Sequence, residues 1–169
     1  MAKQVTFTGL TAVLKNLNRE IEGIKGRTRK GMGEAVLTVR REAQILCPHD
    51  TGNLNNSCYC VVSGGKGQPT TKAGASPGFK SENKAGKKID TARLSSDHGS
   101  AITEAKSHGS KDNIVGTIGF SAFYAPDVHE AVEATFKKPR AQAKFLETPL
   151  KEMSGQILQI IRDDARVKR

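Results

Sequence analysis

From Leu10 to Ile24 the apolar residues fall at Leu10, Val13, Leu14, Leu17, Ile21 and Ile24. That is the spacing of one face of an amphipathic helix, a face expected to be buried. Gly23 and Gly26 then weaken the repeat, and the stretch from Gly26 to Gly31 reads as a turn. A second helix is expected over about residues 28–46, with Met32, Ala35, Val36, Val39, Ala43 and Leu46 on its inner face. Arg40, Arg41 and Glu42 lie away from that face. Pro48 ends the helix, because the residue before a proline is pushed out of helical geometry.

Two strands are expected. Ser57–Ser63 is rich in β-branched and aromatic residues, and Asn113–Phe120 places Ile114, Gly116, Ile118 and Phe120 on one face. Between them, residues 64–112 are dominated by Gly, Ser, Thr, Lys and Ala, with nine Lys and Arg against five Asp and Glu, and Phe79 as the one aromatic residue. Such a stretch is too polar to form its own core and too long for a structureless loop. It reads as an arm inserted in the domain, either an extended hairpin or a segment that orders on a neighbouring chain. Ser100–His108 could supply one strand of the hairpin, and His98 and His108 read as solvated.

After Phe120, residues 124–130 read as a short turn or helix and residues 137–144 as a basic loop. The last helix is expected to start with Thr148 as N-cap and Pro149 at the first helical position. Leu150, Met153, Ile157, Ile160 and Ile161 would form its inner face. Cations in its last turns complement the negative end of the helix dipole. Helical and alternating periods are segregated along the chain. The expected fold is therefore α+β: an antiparallel sheet packed on long N-terminal and C-terminal helices, in one domain of 169 residues.

The net charge is +10, from 27 Lys and Arg against 17 Asp and Glu. This excess favours phosphate backbones and acidic protein surfaces alike. The cations form no single tract and few aromatics accompany them, so sequence-directed nucleic-acid binding is not favoured. No apolar run reaches the roughly 18–20 residues of a membrane span. The N-terminal stretch lacks the pattern of a signal peptide, so synthesis in the cytosol is expected.

Three chemistries meet around residues 47–57. Asp50, Thr51 and Gly52 spell the aspartic-protease tripeptide, but that site needs flanking hydrophobic strands, and here the tripeptide lies between a proline-ended helix and a polar run. Turn chemistry explains the same residues: Asp50 or Thr51 accepts backbone N–H bonds and Gly52 takes an unusual φ. Cys47, His49, Cys58 and Cys60 are ligand types for zinc, but their spacing is not that of a zinc knuckle. A nucleophilic pairing of Cys47 with His49 or His129 needs a positioned base that the sequence does not place. The expectation is no enzyme, no cofactor, no metal and no disulfide.

The same residues form a wider pattern. Pro48, Asp50, Thr51, Gly52, Leu54 and Ser57 after a helix, then Tyr124, Ala125, Pro126, Val128 and His129, then Phe145, Leu146, Pro149 and Leu150, occur in that order. Together they resemble the three short motifs of the tail-completion, or head–tail joining, proteins of the tailed-bacteriophage neck. The resemblance covers about residues 10–63 and 113–166. The chain differs in carrying Ala131 and Val132 where the family often has a Gly-Thr pair, and in its longer 64–112 arm. The resemblance implies a non-enzymatic structural subunit of the virion neck, made in the host cytoplasm. It would form a ring, usually of six copies, against neighbouring neck, connector or tail-tube proteins, with phage DNA passing through without sequence-specific binding. A tail terminator capping the tail tube is the alternative within virions. A small basic nucleic-acid-binding protein is the alternative from another class.

Overall fold

The computed structural model describes residues 9–71 and 78–166; residues 72–77 of the arm lie outside it. In chain order the elements are α1 (Leu10–Leu46), α2 (Asn53–Asn56), β1 (Cys58–Ser63), β2 (Thr70–Thr71), α3 (Thr91–Ser107), β3 (Val115–Phe120), α4 (Ala125–Glu130), α5 (Glu147–Glu152) and α6 (Ser154–Ala165). The fold is α+β, with long helices toward both ends of the chain and a three-stranded antiparallel sheet ordered β2-β1-β3.

The expected turn at Gly26–Gly31 is absent. α1 runs unbroken for 37 residues, about 55 Å at the rise of an α-helix. A helix tolerates an interior glycine at a cost of about 1 kcal/mol, and here Gly31 has a packing reason. A Cβ at Gly31 would lie 3.0 Å from the Ile161 Cα and from the Asp164 Cβ, so the missing side chain lets α6 approach closely. α6 runs back along α1, from Met153 near Glu42 and Leu46 to Ala165, whose carbonyl accepts from Arg27 Nε.

β1 is buried along nearly its whole length, because both faces of the sheet are covered. On one face Cys60 and Val62 pack with Val36, Met32, Ile114 and Ile118, which joins the sheet to α1. On the other, Val61 and Tyr59 pack with Ile102 and Ala105 of α3. The β1–β3 register, Cys58 with Phe120 through Ser63 with Val115, falls within the two strands expected over Ser57–Ser63 and Asn113–Phe120.

α3 corrects the reading of the 64–112 arm. Ser100–His108 is not a strand: residues 100–107 belong to α3, and His108 caps its C-terminus. Asp90 caps the N-terminus by accepting from the Arg93 N–H at 2.9 Å. Leu94, His98, Ile102 and Ala105 recur every three or four residues on its buried face, so His98 is not solvated. The arm cannot form a core alone, but the second face of the sheet supplies the missing half. Part of the hairpin expectation holds, since β2 pairs with β1. The loop between them wraps the Arg29 guanidinium, which donates to the carbonyls of Gly64 (2.9 Å), Lys66 (3.3 Å), Gly67 (3.2 Å) and Gln68.

The C-terminal helix also starts differently. α5 begins at Glu147, and Leu146 rather than Thr148 is its N-cap. Thr148 Oγ1 instead accepts from Gln142 Nε2 at 3.1 Å. Met153 breaks the helix into α5 and α6. Its expected inner face is only half-covered: Met153, Ile157, Ile160 and Ile161 are intermediate in burial and Leu150 is exposed.

Candidate functional site

Two features are candidates for function: the junction where the three motifs meet, and the surfaces the chain leaves open.

The first motif forms a turn. Gly52 has φ +90°, the left-handed region that glycine tolerates. Thr51 Oγ1 accepts from the Asn53 N–H at 3.2 Å, and Ser57 Oγ donates to the Leu54 carbonyl at 2.7 Å. Asp50 is exposed beside Thr51 and Pro48 is half-buried. The Ser57 carbonyl then accepts from both the N–H and Oγ of Ser121, at 3.0 and 3.2 Å, just past the end of β3. Asp50 to Ser57 thus turns the chain from α1 into β1, as turn chemistry predicts.

The second and third motifs pack against this turn. Cys47, Leu54, Leu94, Ala122, Ala125 and Phe145 form one buried cluster, joined by Tyr124, Val128 and Leu146. The His129 ring meets the Phe145 ring edge-on at 5.0 Å, and the His129 carbonyl accepts from the Lys144 N–H at 2.7 Å. Pro126 opens α4 beside Ala125, and Pro149 is buried in α5. Leu150 stands apart from this junction, on the solvent side of α5. Of the motif residues, Leu54, Ser57, Ala125, Phe145 and Pro149 are therefore buried, whereas Asp50, Pro126 and Leu150 are exposed.

Sequence reasoning missed three residues that complete the junction. Asn53 is fully buried and clamps the arm, its side chain donating to the Lys80 carbonyl at 2.9 Å and accepting from the Lys80 N–H at 2.7 Å. Lys138 donates to the carbonyls of Gln44 and Cys47, each at 3.0 Å, satisfying groups that the end of α1 leaves open. Buried His98 meets Ser121 Oγ through Nδ1 at 2.7 Å. None of the three had a legible signal, because each partner lies more than 20 residues away along the chain.

The candidate chemistry finds no assembled site. Cys47, Cys58 and Cys60 are buried and not joined in disulfides, and His49 is exposed. Burial pushes the Cys47 and Cys58 thiols up to about 12, the opposite of an activated nucleophile. Burial likewise raises the Tyr124 phenol above its usual range. His129 Nδ1 lies 2.8 Å from Glu130 Oε1. Among the described residues no group of three or more His, Cys, Asp or Glu is placed to hold a metal ion.

Beside the turn lies a cleft of about 720 Å³, floored by Pro48, Leu54, Tyr124 and Val128 and rimmed by Lys84, Lys87, Lys88 and Lys137 against Asp50 and Asp90.

An exposed apolar face lies elsewhere, on α1. Leu10, Val13, Leu14, Leu17, Ile21 and Ile24, expected to be buried, are exposed, from 62% at Val13 to 38% at Ile24. They lie beyond the reach of α6, whose last residue, Ala165, meets α1 at Arg27. β3 leaves a second opening: it is an end strand of the sheet, six residues long. Comparison with known protein families, characterised proteins and solved structures gives no significant match. No helix among the described residues is long and apolar enough to cross a membrane.

Proposed function

We propose that this chain is a ring-forming structural subunit of a tailed-bacteriophage neck, which completes the tail and joins it to the head. The observation that carries the reading is the apolar face of the first four turns of α1, exposed in the single chain. A contiguous apolar surface of this kind marks a protein–protein contact, and a subunit that repeats one contact around an axis closes into a ring. The three motifs of the neck family support it, because they meet in one joint that sets α1, the sheet and the C-terminal helices relative to one another. The end strand β3 can add backbone hydrogen bonds to a neighbour. The cationic cleft beside the turn suits an acidic segment of an adjoining neck, connector or tail-tube protein.

Native mass spectrometry of the full chain, with class averages from electron microscopy, tests this reading. A closed ring with a central channel is the expected result. A monomer that holds duplex DNA against competitor at raised salt would instead favour the nucleic-acid-binding reading.

A further inference from the structure

The exposed residues of α1 are spaced more regularly than an amphipathic face requires. Leu10, Leu14, Leu17, Ile21 and Ile24 follow steps of four, three, four and three. That is the a/d repeat of a coiled-coil seam, with Leu14 and Ile21 at a and Leu10, Leu17 and Ile24 at d. Continued down the helix, the same stripe passes Thr28 and reaches Gly31, where α6 of the same chain lies on it. One half of the stripe has a helical partner, and the other half has none among the described residues.

We infer that residues 10–24 of α1 pair with the same segment of a second copy of this chain, parallel and in register. A seam of this spacing takes another helix with the same spacing, since each knob enters a hole formed by four residues of the facing helix. Charge beside the seam favours a second copy. Glu20 occupies a g position and Lys25 the following e position, the two that face each other between parallel neighbours. Lys25 is already held beside the seam by Asp112, at 2.8 Å. An ammonium has three donors, so donors remain for the neighbour's Glu20. Val13, at the preceding g position and exposed, widens the apolar stripe at its N-terminal end. Cyclic symmetry makes all copies parallel about one axis, so this seam can serve a pair or a larger ring.

The inference stands on the helix and not on the virion reading, and one set of measurements separates them. Sedimentation and light scattering of the full chain over a concentration series should show self-association. Replacing Leu14 and Leu17 with Asp should weaken it by at least about tenfold while leaving the subunit folded, with its circular dichroism spectrum little changed, because both side chains are exposed. The thermal midpoint should fall only as far as lost association lowers it. Glu20→Lys should weaken association in low salt, and adding Lys25→Glu should restore it. Ile24→Cys should form a disulfide between copies under mild oxidation, which an antiparallel pair would not allow. A wild-type monomer, an assembly indifferent to Leu14→Asp with Leu17→Asp, or an Ile24→Cys variant that does not cross-link would each overturn the inference. A ring that ignores the seam substitutions leaves the neck reading intact and this one refuted. A seam-dependent dimer with no ring leaves this one intact and refutes the ring.

Discussion

Replacing the glycines of α1 distinguishes one continuous helix from two helices joined by a turn. Gly26 lies in the middle of α1, and a Cβ added there meets nothing within 4 Å. In a helix interior Gly26→Ala should therefore stabilise by about 0.8–1.0 kcal/mol. For a chain of this size that is a rise of about 2–4 °C in thermal midpoint. In a turn between two helices the same change would be neutral or destabilising, since alanine resists a left-handed backbone. Gly31 is the matched control. Its Cβ would sit 3.0 Å from the Ile161 Cα, and that neighbour is backbone that cannot rotate away. Gly31→Leu gains a similar propensity term but forces α6 outward, an overpacking cost of about 1–3 kcal/mol or somewhat more. The net should be a loss of up to about 2 kcal/mol, or a fall of up to roughly 8 °C. Thermal unfolding followed by circular dichroism at 222 nm reads both midpoints. Amide exchange over residues 20–30 shows whether the first half of α1 opens on its own. A lower midpoint for Gly26→Ala, or equal stabilisation by the two substitutions, would refute the continuous helix packed on α6.

Other substitutions probe the joint and the arm. Gly52→Val should destabilise by about 1–3 kcal/mol, the cost of a strained backbone position, and an unchanged midpoint would count against the turn. Leu94 is fully buried, so Leu94→Ala should cost about 2–5 kcal/mol, read by urea unfolding. For the same reason, deleting residues 66–111 should not leave a folded subunit, as an arm without core residues would allow; a cooperative melt of that deletion would contradict the α3 packing. Cys47 and Cys58 should resist thiol reagents at pH 8 in the folded protein and react on unfolding. Their folded values of about 12 lie above the usual 9.0. The folded state therefore keeps protons the unfolded state loses, and stability should fall between about pH 9 and 12. A flat pH–stability profile there would oppose their burial.

The sequence by itself determined the elements whose pattern is local. The β-branched and aromatic run of residues 57–63 and the period-two face of residues 113–120 report strands because both are local properties of a strand. Pro48 ends α1 and Gly52 turns the chain because both act through their own backbone. The three motifs could be placed in order along the chain, but not seen to meet, because Leu54, Ala125 and Phe145 come together only when distant segments fold against one another. Tertiary structure decided the rest. Gly26 and Gly31 looked like a turn, and α6 makes the second of them a contact site in an unbroken helix. The arm looked too polar to pack, yet Leu94, His98, Ile102 and Ala105 suffice for a helix once Tyr59 and Val61 offer the other half of a core. The face from Leu10 to Ile24 looked buried and is open. Periodicity says that a face is apolar; only the placement of the rest of the chain says whether that same chain is what covers it.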